Sequence, residues 1–369
     1  MAAALAASLL LALGQVPWEA GLKVQERVLQ GGAGDLVFDP TLAAGLQAKT
    51  AQLHAVYDPE ILLREPSDRG TFNDLQRADL TGSIDFSPRT HMAADERLSI
   101  GATDLSWLAL APDAPPPFVV QGVTSTTVDT VDEVSSLTLD HALSPRTRVS
   151  GTARFEIAGG LGSDELAYPR IDTASVSATG YYVAARRDTL SITVTGSRGW
   201  LPATSGTTLD FATSATWQHT FLGHVEGSLG GGIAILGGDA QEQHGVVPTA
   251  AATLQHEVGT NPGSLGVRLG LHYTPVLDAA TGSLAAQFQG SASLDLRLAS
   301  KWVGNASGGT ALTPSPPPFT PSQLSQGALG LTYEANRWLA FLLAARAASL
   351  PQFQWAGVLV TTISLRGRL

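Results

Sequence analysis

Cysteine is absent from the 369 residues, which removes disulfides, thiolate metal sites and cysteine nucleophiles together. Charge is scarce as well: Asp, Glu, Lys and Arg make up only 15% of the chain, and the formal net charge is −10. With no basic stripe to neutralise phosphates, nucleic-acid binding is set aside. Beyond the amino terminus, no stretch approaches the roughly 20 consecutive apolar residues that a membrane-spanning helix needs. Aromatic residues are modest at 7%. Against these shortages stand 44% hydrophobic residues and a mean hydropathy of +0.11, an oily balance spread evenly along the chain.

That apolar content is arranged at period two. Leu190, Ile192 and Val194 interleave with Ser191, Thr193 and Thr195, and Leu265, Val267, Leu269, Leu271 and Tyr273 interleave with Gly266, Arg268, Gly270 and His272. Phe353, Trp355, Leu359, Ile363 and Leu365 share one face of the last such segment. Period two is the signature of a strand with one apolar face. Repeated from Val16 to the carboxyl terminus without helical segments to cover those faces, it points to lipid as the covering solvent. The expectation is an all-β chain, a transmembrane antiparallel up-and-down barrel of about 18 strands, or 16 if a weak hairpin merges. Early spans in this reading are 50 to 64, 71 to 86, 96 to 107 and 120 to 143. Ala2 to Leu13, followed by Gly14 and Gln15, reads as a signal peptide over residues 1–14, leaving 15–369 as a single barrel domain.

Connections of two lengths take turns. Ala48-Lys49-Thr50, Ser144-Pro145-Arg146-Thr147, Arg186-Arg187-Asp188 and Glu334-Ala335-Asn336-Arg337 are short, with Pro or Asn supplying turn geometry. Leu108 to Val119, Leu161 to Arg170, Gly237 to Gly245 and Leu312 to Gln326 are long. Short periplasmic turns and long external loops characterise a membrane barrel. The turn after Phe86 is expected to be long, an exception to this parity. Trp18, Tyr57, Phe86, Trp107, Trp200, Trp217, Tyr273, Trp302, Trp338 and Trp355 fall near strand ends, as interfacial girdles would; filling a core is the other use of such residues.

With Asp35-Leu36-Val37-Phe38-Asp39-Pro40, Ala51-Gln52-Leu53-His54-Ala55-Val56-Tyr57-Asp58-Pro59 and the hairpin Leu143-Ser144-Pro145-Arg146-Thr147-Arg148-Val149-Ser150, the chain resembles porin-like outer-membrane β-barrel proteins of Gram-negative bacteria. The resemblance implies a bacterial outer-membrane location, with outer-membrane lipids and the barrel-assembly machinery as partners. Family members commonly end in an aromatic residue, and this chain ends in Leu369.

Strand phase sorts the side chains. Ala78, Leu80, Ile84 and Phe86 face lipid, which turns Arg77, Asp79, Thr81, Ser83 and Asp85 inward. Val149, Ala153, Phe155 and Ile157 likewise turn Arg148, Ser150, Arg154 and Glu156 inward, and Leu294, Leu296 and Leu298 turn Asp295 and Arg297 inward. The expected pore-lining set is therefore Arg77, Asp79, Asp85, Arg154, Glu156, Arg268, His272, Asp295 and Arg297. Such a wall of both signs suits passage of small hydrophilic solutes, and it equally suits neutralised pairs bracing a closed interior.

Enzymatic chemistry finds little support. His54, His91, His141, His219, His224, His244, His256 and His272 repeat no catalytic or metal spacing, and His244 beside Asp239 and Glu242 offers too few ligands for a metal site. Gly227 to Gly232 lie within a strand pattern and open no helix, so a phosphate loop is set aside. No cofactor is called for. The leading expectation is a passive channel. The alternative is a non-conducting barrel whose loops, 108 to 131 and 311 to 325, bind a partner or surface polysaccharide.

Overall fold

The computed structural model describes residues 18–29, 34–67, 70–104, 127–166, 168–202, 205–221, 224–238, 245–260, 263–277, 284–313, 323–350 and 353–368. In chain order the strands are β1 (Trp18–Leu29), β2 (Gly34–Gln47), β3 (Ala51–Tyr57), β4 (Glu60–Ser67), β5 (Gly70–Ser87) and β6 (Thr90–Asp104). Then come β7 (Thr127–Ser144), β8 (Thr147–Gly160), β9 (Ile171–Ala185), β10 (Asp188–Leu201), β11 (Gly206–Thr220), β12 (Val225–Gly237) and β13 (Gly245–Thr260). The series ends with β14 (Gly263–Leu277), β15 (Leu284–Ala299), β16 (Trp302–Leu312), β17 (Gln323–Asn336), β18 (Leu339–Leu350) and β19 (Phe353–Arg368). Among the described residues the only helical piece is the short 3₁₀ turn Gly162–Leu166.

All strands are antiparallel to their neighbours in one sheet, and the sheet closes on itself. β1 pairs with β19 from Glu19↔Arg368 to Leu29↔Val358, and with β2 from Trp18↔Ala44 to Val28↔Gly34. β3 and β4 are two halves of one wall position, because both pair with β2 on one side and with β5 on the other. The barrel therefore has 18 strand positions. Proline explains the interruption. The register that sets Leu42 against Tyr57 and Phe38 against Ile61 brings Pro59 opposite Pro40. Neither can donate a backbone N–H, so the ladder lapses there for two residues and resumes in phase.

Period two survives in the register all round the wall. Tyr182, Leu190, Trp217 and Leu229 lie side by side across β9 to β12, and Leu254, Leu269 and Ala292 across β13 to β15. These apolar side chains stay solvent-accessible, Leu271 at 65% and Ile192 at 61%, which is how a lipid-facing surface looks without lipid. The opposite face is polar and rich in hydroxyls that pair across neighbouring strands: Thr138 with Thr152 at 3.0 Å, Thr179 with Thr193 at 3.0 Å and Ser228 with Thr253 at 2.6 Å. This polar face is the concave one, since side chains from β2 and β5 meet on it across the intervening β4.

One end of the barrel carries only tight connections, among them Pro88-Arg89, Pro145-Arg146, Arg186-Arg187 and Ser300-Lys301. The expected long connection after Phe86 is corrected: β5 runs to Ser87 and β6 starts at Thr90, so residues 90 to 95 are strand and the parity of loop lengths has no exception there. The span 50 to 64 is likewise two strands with a gap at Asp58-Pro59. Outward aromatics gather near both ends, Trp302 on Tyr333 at 4.6 Å towards the tight turns and Tyr273 on Phe288 at 4.4 Å towards the loops. The side chains of Trp18 and Trp355, all of Trp107 and the signal-peptide region 1–14 lie outside the described residues.

The two faces predict opposite tolerance at adjacent positions in the middle of β10. Val194→Arg, on the outward face, is expected to lower folding stability in lipid vesicles by about 2–4 kcal/mol, whereas Thr195→Arg, on the inner face, changes it by less than about 1 kcal/mol. Urea titrations in vesicles measure both.

Candidate functional site

Arg77 sits where the prolines interrupt the wall. Its guanidinium lies 3.4 Å from Asp39, 3.6 Å from Asp58 and 3.4 Å from Glu60, and its Nε donates to the Asp58 carbonyl at 3.1 Å. The gap in the ladder exposes that carbonyl, and the Arg77 backbone answers by accepting from the Asp58 N–H at 3.1 Å. Asp39 also accepts from the Gln25 amide. The side chains of Asp39 and Glu60 are only 2% and 9% exposed, so the cation is a structural need: buried carboxylates without it would lose their compensation. The sequence reading singled out Arg77 and missed its three partners. The signal was present, because Asp39-Pro40 and Asp58-Pro59 repeat one dipeptide, and both aspartates converge on the same guanidinium.

Asp79 stands opposite Arg97, whose Nε is 3.4 Å from Asp95 on its own strand. Asp85 meets His91 at 2.7 Å close to the tight-turn end. On β8, Arg154 donates to Glu156 from both Nε, at 3.2 Å, and an Nη, at 2.8 Å. Arg268, Asp295 and Arg297 share a recess of about 310 Å³ with Glu257, and Arg297 reaches Glu334 at 4.0 Å. His272 lies between Ala251 and Gln289 in the register, away from that recess. The nine sequence-selected residues thus share the inner face but form separate groups: one around Arg77, pairs at Asp85 and Arg154, and the recess on β14 and β15.

The connection after β8 turns onto the same face. Gly160 has inward phase, and a Cβ there would lie 2.4 Å from the Asp164 carbonyl oxygen, so only glycine lets the segment pack this closely. Asp164 accepts from the Asp129 N–H at 2.8 Å, and the Gly160 N–H donates to the Tyr168 carbonyl at 2.7 Å. Burial pushes the Tyr168 phenol up to about 12, and the nearby carboxylates of Asp132 and Glu156 act in the same direction. Arg170 grips Asp172 with two hydrogen bonds, 2.8 and 3.1 Å, and that partner raises its already high value. Neither Tyr168 nor Asp132 was singled out by the sequence reading, since nothing in the pattern reports that a loop folds inward.

The histidines do not converge. His219 pairs with Asp188 at 2.7 Å on the outward face, beside Trp217 and Phe221; His141 meets Thr90 at 2.9 Å; His54 points inward opposite Thr81. His224 occupies a turn with φ of 67°, and His256 has a buried Nδ1 without a partner among the described residues. His244, with Asp239 and Glu242, lies outside the described residues. Among the described residues no group of three His, Asp or Glu side chains is placed to hold a metal ion.

Two crystal structures of OpdK (OccK1) from Pseudomonas aeruginosa superpose on nearly the whole molecule. One, solved with vanillate, has a TM-score of 0.52 at 11% identity, covering 97% of this chain and 100% of that one. The other, of the outer membrane protein OpdK, has a TM-score of 0.51 at 9% identity over the same shares. The chain has the porin fold. No family model matches the sequence, and no curated protein does. At such identity the shared property is the fold alone, and no individual side chain is carried across.

Two outcomes follow from this wall. Arg77→Ala is expected to cost about 3 kcal/mol, at the low end for breaking a buried pair because Arg77 is 31% exposed, and urea unfolding of the refolded barrel measures it. Tyr168 ionises later in the folded than in the unfolded chain. Stability is therefore unaffected below the ordinary phenol value of 10.0 and falls as pH climbs from there towards about 12. Phenolate absorbance, taken as the difference between wild type and Tyr168→Phe, reports that titration.

Proposed function

We propose that the protein is an outer-membrane channel through which small hydrophilic solutes diffuse passively. The observation that carries this reading is a wall of 18 positions that closes between β1 and β19 and sets hydroxyls and ion pairs on its inner face. Barrels of that size are wide enough for an aqueous lumen. The OpdK fold supports it, being that of a porin of the bacterial outer membrane. Arg77, Asp79, Asp85, Arg154, Glu156, Arg268, His272, Asp295 and Arg297 are the residues we assign to the lining.

The chemistry is that of a selective wall and not of an enzyme. Solutes exchange part of their hydration for Ser and Thr hydroxyls, and for ion pairs such as Arg154 with Glu156 that offer donors and acceptors without a large net field. The segment Gly162–Leu166, with Tyr168, narrows the path on the β7 and β8 side. Vanillate, bound in the OpdK crystal, is a property of that protein; nothing in the Arg77 group, saturated by three carboxylates, favours an aromatic carboxylate here. Signal-directed export, and insertion by the barrel-assembly machinery, complete the proposal.

Purified protein in planar bilayers is expected to show discrete conductance steps. A folded, heat-modifiable barrel that stays electrically silent would contradict the channel and favour a barrel whose loops bind a partner or surface polysaccharide.

A further inference from the structure

The inner face is not balanced in charge. Around the proline gap, the five carboxylates Asp39, Asp58, Glu60, Asp79 and Asp95 face three cations, Arg77, Lys23 and Arg97. On β7 and β8, Asp132 and Glu156 share Arg154, which bonds to Glu156 alone. In the recess at the tight-turn end, Glu257 and Asp295 meet Arg268 and Arg297 in equal number, with Glu334 4.0 Å from Arg297 beside it. On β11, inward-facing Asp210 has one carboxylate oxygen buried without a hydrogen-bond partner among the described residues, and no ion pair is formed with it there. These four sectors lie on different parts of the wall, and in three of them the carboxylates outnumber the cations. The whole chain shows the same sign, at −10.

We infer that the lumen is cation-selective, favouring metal cations and organic solutes that carry an amine or guanidinium over carboxylates, sulfates or phosphates. This rests on the channel reading above. The physical cause is the field of the surplus carboxylates acting across a water-filled space bounded by low-dielectric protein, which concentrates counter-ions and excludes co-ions. It is a property of the summed wall and needs no single binding site. The ion pairs matter to it as much as the surplus: guanidiniums held against carboxylates, Arg77 most plainly and Arg154 with Glu156, offer anions less free charge than their number implies.

The test is the reversal potential of the full-length protein in planar bilayers under a KCl gradient. Potassium is expected to permeate several-fold better than chloride, and the preference is expected to shrink as bulk salt rises towards molar and screening shortens to about 3 Å. Asp132→Asn combined with Asp295→Asn, both at exposed positions of the inner face, should bring the ratio about twofold closer to one. A chloride preference, a ratio of one in the wild type, or a ratio that the double variant leaves unchanged would overturn the inference while leaving the channel intact. Absence of conductance steps would overturn the channel itself, and selectivity with it.

Discussion

Backbone hydrogen bonding is the constraint on which everything else in this molecule depends. A strand that faces hydrocarbon has no water to satisfy its N–H and C=O groups, so each must find them on a neighbour, and a sheet does so completely only when its last strand returns to its first. Here β19 returns to β1 along its described length, from Glu19↔Arg368 to Leu29↔Val358. Closure dictates an even number of wall positions, antiparallel order throughout and two ends of different character. It also separates two solvents, so every residue must suit either lipid or lumen by its parity alone.

The lapse of the ladder at Asp58-Pro59 shows how the wall tolerates a defect. Pro40 and Pro59 come opposite each other, the strand divides into β3 and β4, and Arg77 donates from its side chain to the Asp58 carbonyl at the gap. The same guanidinium then holds Asp39, Asp58 and Glu60 on the inner face. A backbone problem is solved with a side chain, and the solution leaves that part of the lumen acidic. Glu96 presents a related case on the outward face, between Leu80 and Ser135, where the Ser135 hydroxyl donates to it at 2.6 Å.

Much of this was legible in the sequence for a simple reason: period two is local, and a closed sheet repeats it until the chain ends. The number of wall positions, the outward phase of Leu80 and Phe86 and the inward phase of Arg154 and Asp295 follow from counting alternate residues. What could not be read depends on partners distant in sequence. Pro59 looks like an ordinary strand residue until the register sets it against Pro40, and Arg77 looks like one lining residue among several until Asp39 and Asp58 arrive from other strands. The turn at Pro88-Arg89 was obscured by the run His91 to Glu96, whose two alanines and acidic residues blur the alternation. Tyr168 lies in a loop, where no periodicity says which way the chain folds. Function was the least legible, because a polar face states that a lumen exists and leaves its selectivity to the balance of pairs formed only in three dimensions.

The central claim is the closure of the wall, and the absence of cysteine makes it directly testable. Lys23 and Ser364 face each other across the seam between β1 and β19, on the inner face. In a Lys23→Cys, Ser364→Cys variant folded in lipid vesicles, mild oxidation should form an intramolecular disulfide that shifts migration on unfolding gels and disappears on reduction. A folded barrel whose two cysteines stay free under those conditions would contradict the closed, in-register seam on which this account is built.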